Sequence, residues 1–415
     1  MKTALRVGCV LLAALAGAWR PALAEDGLTL CSTASWKIER GEGWASYACT
    51  VPCAGPWSTC ARPSPDTKGA NGKPLTTLAF TADRMGGELR WNGPLLGEYK
   101  AGLATHPGGS GDTYMEDQAK PLRTLRLDLE RQGLVVIDIH WQKGAKGGKV
   151  GPYYGWLSRL SPQGVTLREL TRRPALVLGW ARDNLVPADK KFGTLGCSAG
   201  SIATYAAVAW HGLDSRIDYQ LLTGGPPVAW DPGAICTGEV AETEPKGICE
   251  SDPALTCTSD EQCAAGARCA LPRHGPRSAR ARIDVSGLKS LIDYVSGQEN
   301  VCSEGKASAA LKMSSLRETA AQVRVDHPVD FIVSTRTGKL TSPIGLIVTN
   351  DTDLTITYTA GRTYSSISTT DPAGKKWITY PGIHCSWMAD PSYLAGTVYG
   401  LILRGLKLPA PSPKE

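Results

Sequence analysis

Five residues, Gly196-Cys197-Ser198-Ala199-Gly200, place a serine in G-x-S-x-G spacing between the apolar run FGTLGC and the alanine-rich run SIATYAAVAWHG. A serine raised on a sharp strand-to-helix turn exposes its hydroxyl, and glycines on either side let the flanking backbones pass closely. The chemistry this suits is acyl transfer, which needs a base to take the hydroxyl proton. Of six histidines, His384 follows the apolar stretch KKWITYPG and is the candidate base. His140 ends LVVIDIHW and is placed to line a pocket. His211 lies in the run after Ser198 and points away, while His274 and His327 lie in or beside a cysteine-rich stretch.

A base also needs a carboxylate to hold its tautomer and steady its cation. After PIGLIVTN come Asp351 and Asp353, and Asp353 is preferred because it sits three past Asn350 and three before Ile356. Asp351 is the second choice, and Asp231, after YQLLTGG, the outside one. Backbone N–H groups must meet the developing oxyanion. The Ala199 amide directly follows the serine, and His106-Pro107-Gly108-Gly109-Ser110-Gly111 offers the other donor. Pro107 has no N–H, so that donor is Gly108 or Gly109. His106, His140, Trp141, Tyr153, Tyr154 and Trp156 are candidate substrate-binding residues.

These groups need a frame that brings distant residues to one rim. From about residue 75, short apolar runs alternate with helical patterns. TLAFTA and LRW open as a hairpin or meander, KAGLATHPGG is a strand, and PLRTLRLDLERQG is a helix stopping at Gly133. LVVIDIHW is a buried strand, and TLRELTRRPALVLGWARDNL is a long helix with a kink expected at Pro174. FGTLGC, YQLLTGG, PIGLIVTN and KKWITYPG supply further strands. Strands separated by helices, several continuously apolar, imply a mostly parallel sheet covered on both faces. Reactive groups then gather at the strands' carboxyl ends.

The expected division is a signal peptide over 1–24, a disulfide-containing segment over 25–74, the core over 75–225 and 331–405, a cysteine-rich cap over 226–330 containing one modest helical stretch at LKSLIDYV, and a tail over 406–415. Lys2 and Arg6, an apolar stretch to Ala18 and Ala22-Leu23-Ala24 form the leader pattern, so the mature chain is expected to be exported, secreted or periplasmic, with no membrane span. The formal charge of +6, lower still once Lys2, Arg6 and Arg20 are gone, is too mild for a nucleic-acid partner. Of 13 cysteines, Cys9 leaves with the leader. The rest fall into groups of four (Cys31, Cys49, Cys53, Cys60), six (Cys236, Cys249, Cys257, Cys263, Cys269, Cys302) and the distant two, Cys197 and Cys385. Even numbers in an exported chain suit disulfides, and zinc is the poorer reading of the late group. No cofactor or metal is expected.

Serine, acid and histidine in that chain order, with the glycine loop ahead of them, resemble the α/β-hydrolase superfamily over roughly residues 75–230 and 330–405. Cys197-Ser198, Asp353 and His384-Cys385 resemble, more narrowly, the tannase and feruloyl esterase family. That resemblance implies a disulfide between Cys197 and Cys385, joining the neighbours of nucleophile and base. It also implies a serine hydrolase acting on carboxylic esters of aromatic, carbohydrate acetyl or polyester type. The chain departs from the family in having Ser201 after the elbow and a smaller lid, and no lid calcium site can be placed. The same words also look like pectin acetylesterases, whose oxyanion loop differs. The alternatives are a serine peptidase on the same fold and a non-catalytic hydrolase-like binding protein.

Overall fold

In the computed structural model of the chain, the described residues are 27–41, 44–93, 99–109, 111–143, 155–159, 167–225, 323–334, 367–382 and 384–410. Short pieces at 247–249, 252–257, 269–270, 340–341, 347–348, 360 and 363–364 are also described. The frame is a sheet built from β1 (Leu28–Cys31), β2 (Arg62–Lys68), β3 (Pro74–Ala82), β4 (Met85–Trp91), β5 (Ala101–His106), β6 (Leu134–Trp141), β7 (Lys191–Cys197), β8 (Tyr219–Thr223), β9 (Val329–Ser334) and β10 (Lys375–Tyr380). Its order is β1-β3-β4-β6-β5-β7-β8-β9-β10, with β2 paired to β3. Strands β6, β5, β7, β8, β9 and β10 run parallel, and β4 is antiparallel to both β3 and β6. This is an α/β-hydrolase fold.

The continuously apolar strands follow from two covered faces. Along β6, Val135, Ile137, Ile139 and Trp141 pack into one core while Leu134 and Val136 pack into the other. The first core is closed by α2 (Leu167–Leu185) and α3 (Ala199–Ala209), the second by α1 (Lys120–Arg131) and α4 (Tyr399–Gly405). Helix α1 carries Pro121 in its first turn, where the missing N–H costs nothing, and buries Leu122, Leu125 and Leu129 at helical spacing. It ends before Gly133, whose φ of +91° suits glycine. Helix α2 continues through Pro174, the position of the expected kink, as one element.

Two features were not expected from the sequence. The segment ahead of residue 75 is structured. β1 and β2 extend the sheet beyond β3, and a hairpin of Trp36–Gly41 with Trp44–Cys49 packs beside it. The disulfides here are Cys31–Cys49 and Cys53–Cys60. The second concerns the strand beside β8. That place belongs to β9, VDFIVS, and not to PIGLIVTN, of which Ile347–Val348 pairs, among the described residues, with Leu340–Thr341 outside the main sheet. Val329, Phe331 and Val333 face one core and Ile332 the other, and Asp330 interrupts the apolar run. Asp330 is buried because Tyr219 and Arg404 both donate to its Oδ2, at 2.9 and 2.7 Å. Within the expected cap, residues 247–249, 252–257 and 269–270 form a small three-stranded sheet. The late cysteines' side chains and the stretch LKSLIDYV lie outside the described residues.

Candidate active site

Ser198 sits between β7 and α3 with φ 55° and ψ −121°, a strained conformation for a residue with a side chain. The glycines around it are required by space. A Cβ on Gly196 would lie 2.4 Å from the Gly200 carbonyl oxygen, and one on Gly200 would lie 2.1 Å from the His106 carbonyl oxygen. The elbow therefore packs directly beneath the end of β5. Ser198 is half-buried, and its backbone N–H donates to the Thr223 carbonyl oxygen at the end of β8, 2.8 Å away.

His384 arrives at the same strand end. Gly224, next after Thr223, has φ +55°, and its absent Cβ would stand 2.9 Å from His384 Cε1, 3.1 Å from Nδ1 and 2.6 Å from Cys385 Sγ. Cys385 takes a left-handed φ of 53° as the chain turns, and it forms a disulfide with Cys197, their Cα atoms 6.4 Å apart. So the serine and the histidine are each one residue from the same sulfur bridge, and both abut the Thr223-Gly224 corner. His384 is buried, which pushes its imidazole down to about 4, since burial disfavours the cation. The imidazole is thus held neutral at ordinary pH, the form a general base requires.

The glycine loop lies over the serine. A Cβ on Gly108 would be 3.3 Å from Ser198 Cβ, and Gly109 and Gly111 both have positive φ, at 61° and 73°. Ala199 opens α3, so its N–H has no carbonyl four residues earlier in the helix to satisfy it. Gly108 and Ala199 thus flank the serine from two directions.

Three expected substrate-binding residues are placed differently. His106, Trp141 and Trp156 are fully buried, so they support the loop from beneath and present no face to a ligand. Their bulk fills the space under Gly111, where a Cβ would meet Trp141 Cδ1 at 2.7 Å and Trp156 Cδ1 at 3.3 Å. His140 is partly exposed. It stacks on Tyr114 with centroids 4.9 Å apart, and its Nε2 lies 3.0 Å from the Asp112 carbonyl oxygen. His211 points away, its Nε2 3.0 Å from Thr171 Oγ1, and His327 pairs with Gln220 Oε1 at 3.3 Å. Asp353, Asp351, Asp231, Tyr153, Tyr154 and His274 lie outside the described residues. The choice of Asp353 rests on its place at the turn after PIGLIVTN, of which Ile347–Val348 pairs with Leu340–Thr341 outside the main sheet. Among the described residues, no cluster of histidine, cysteine, aspartate and glutamate has the makings of a metal site. The Thr223-Gly224 corner is the part of the site that motif reading missed. A GG pair after an apolar run was its signal.

No protein-family model matches the chain, and no curated protein matches it in sequence. Solved structures resemble it distantly. Acetyl xylan esterase 1 of a Thermoanaerobacterium species shares 12% identity over 83% of this chain and 86% of its own, with TM-score 0.46. An esterase of Pyrobaculum calidifontis shares 14% over 84% of each chain, with TM-score 0.40. A lipase-esterase related protein of Clostridium acetobutylicum shares 12% over 75% of this chain and 99% of its own, with TM-score 0.35. Likenesses this distant assign neither a reaction nor a substrate.

Proposed function

We propose that the chain is a serine hydrolase of carboxylic esters. The observation that carries this reading is the strained Ser198 elbow joined to His384 by the Cys197–Cys385 bridge and by their shared Thr223-Gly224 corner. Ser198 Oγ attacks the ester carbonyl carbon as His384 takes its proton. The tetrahedral oxyanion accepts hydrogen bonds from the Ala199 amide and from the Gly108 or Gly109 amide. Collapse expels the alcohol, which leaves with the proton returned by His384, and an acyl-enzyme remains on Ser198. Water, deprotonated by the same imidazole, then releases the acid and restores the hydroxyl. Asp353 is the proposed orienting acid, with Asp351 second. No step calls for a metal or cofactor.

The finer reading is an exported enzyme related to tannases and feruloyl esterases, cleaving esters of aromatic acids, carbohydrate acetyl groups or polyesters, with residues 226–330 as the cap. Two disulfides near the start of the described chain favour an oxidising compartment. No helix among the described residues is long and apolar enough to cross a membrane. The test is labelling by a fluorophosphonate probe, followed by p-nitrophenyl acetate, feruloyl and galloyl esters and peptide anilides, with Ser198→Ala as control. Ester turnover and labelling that vanish in Ser198→Ala support the reading. Preferred turnover of anilides favours the peptidase, and absence of labelling favours a binding protein.

A further inference from the structure

His106 is fully buried at the end of β5, yet both of its ring nitrogens face a partner. Nε2 lies 3.0 Å from Trp141 Nε1, and Nδ1 lies 3.1 Å from the Pro107 carbonyl oxygen. An indole N–H can only donate, so Nε2 must accept and carries no proton. The ring's one proton is therefore on Nδ1, where it is donated to the carbonyl of Pro107. Protonating the ring would set an N–H against the indole N–H. Burial, the larger effect, already holds the imidazole down at about 4.

That carbonyl belongs to the peptide unit whose other end is the Gly108 N–H. A trans peptide is planar, with its C=O and N–H pointing to opposite sides. Holding the Pro107 oxygen against the imidazole therefore turns the Gly108 N–H away from the imidazole, at the glycine that lies over Ser198. The surroundings leave this unit little freedom. The Pro107 oxygen would be 2.5 Å from a Cβ on Gly200, the Gly111 backbone N–H donates to the Gly108 carbonyl oxygen at 3.3 Å, and the Trp141 backbone N–H donates to the Gly111 carbonyl oxygen at 2.7 Å. The Trp156 ring meets the imidazole edge-on, centroids 5.8 Å apart.

We propose that His106 is a positioning residue, held in its neutral Nδ1–H tautomer by the Trp141 indole, that aims the Gly108 amide and so makes Gly108 the loop's oxyanion donor. This rests on the reading of Ser198 as nucleophile. It goes further by choosing between Gly108 and Gly109 and by giving Trp141 a polar task besides packing.

Two kinds of measurement test it. In protein labelled with 15N-histidine, with the His106 signals identified by their loss in His106→Phe, the shifts should show an Nδ1–H, Nε2-accepting ring unchanged from pH 5 to 9. An Nε2–H tautomer, or titration near 6.5, overturns the proposal whatever the enzyme does. In kinetics on p-nitrophenyl acetate, Trp141→Phe removes the indole donor and keeps most of the bulk. It should lower kcat about tenfold with KM within twofold, less than the ~100-fold or more that follows outright loss of an oxyanion donor. His106→Asn keeps a donor near the Nδ1 position and should retain more kcat than His106→Phe. Trp180→Phe, at another buried tryptophan that packs edge-on against Trp57, should lose comparable stability with kcat unchanged. Trp141→Phe and His106→Phe both within twofold of wild-type kcat overturn the proposal. Wild-type protein whose Ser198 takes no fluorophosphonate overturns the nucleophile reading first and this one with it, whereas a wrong tautomer in an active enzyme sinks this one alone.

Discussion

Gly224→Ala tests the meeting of Ser198 and His384 most directly. The backbone there has φ +55°, so any side chain costs roughly 1–2 kcal/mol in left-handed strain. The added methyl would also stand 2.9 Å from His384 Cε1 and 2.6 Å from Cys385 Sγ, where ordinary contact begins at 3.4 Å. The imidazole must retreat by about half an ångström, and since a displacement of about 1 Å costs on the order of 100-fold, roughly a tenfold fall in kcat is expected. The matched control is Gly212→Ala. Gly212 has a similar φ of +69° with nothing within 4 Å of the added carbon. Gly212→Ala should lose a few degrees in Tm from backbone strain alone and keep its ester turnover, whereas Gly224→Ala, with the clash added, should lose more stability and, assayed well below its Tm, ester turnover as well. The fluorophosphonate labelling rate, which reports the same serine–histidine pair, should fall in parallel. Equal kcat in both variants, or a loss in Gly212→Ala as large as in Gly224→Ala, would refute the placement of His384 at the elbow.

Other outcomes follow from the same geometry. Burial holds the His384 imidazole at about 4, and a carboxylate beside it would raise that value; Asp353→Asn should therefore move the acid limb of kcat/KM downward toward pH 4, and an unmoved limb shows that Asp353 is not the acid. His106 and His384 stay neutral in the fold down to about 4 while the unfolded chain takes up protons from about 6.5. Stability measured by denaturant titration should thus fall as pH drops from 6.5 to 4, in the absence of which the two rings are not buried as described. Asp138 has the opposite sign. Burial, helped by the Glu116 carboxylate and only partly offset by Arg90 and Arg126, pushes its carboxyl up to about 7, so stability is lost as pH rises from the unfolded value of about 4 to about 7. Asp138→Asn should raise Tm at pH 8 and leave it nearly unchanged below about pH 4, which differential scanning calorimetry can check. Replacing both Cys197 and Cys385 by alanine should cost about 2–4 kcal/mol and lower kcat more than Cys31→Ala with Cys49→Ala, and equal kcat in the two would show the bridge to be a staple only.

What could be read along the chain was whatever depends on local pattern. G-x-S-x-G spacing requires a strand before and a helix after, and β7 and α3 stand there. The alternation of apolar runs with amphipathic stretches predicted a parallel sheet covered on both sides, and β5, α1, β6, α2 and β8 lie where the pattern put them. Position in the sheet was beyond that reading, because strand pairing is decided by long-range burial. PIGLIVTN carries no charge and VDFIVS carries Asp330, yet VDFIVS takes the place beside β8, where Tyr219 and Arg404 satisfy the one carboxylate that entry into the sheet buries. Nor does the sequence tell a supporting aromatic from a ligand-facing one. Trp141 and His106 looked equally fit to hold a substrate, and only the packing of β5 against β6 turns both inward, where each satisfies the other's polar atom. Residue type and spacing were enough to nominate the chemistry, while the fold alone decides which groups meet, because convergence of residues distant along the chain is a property of packing and leaves no local signature.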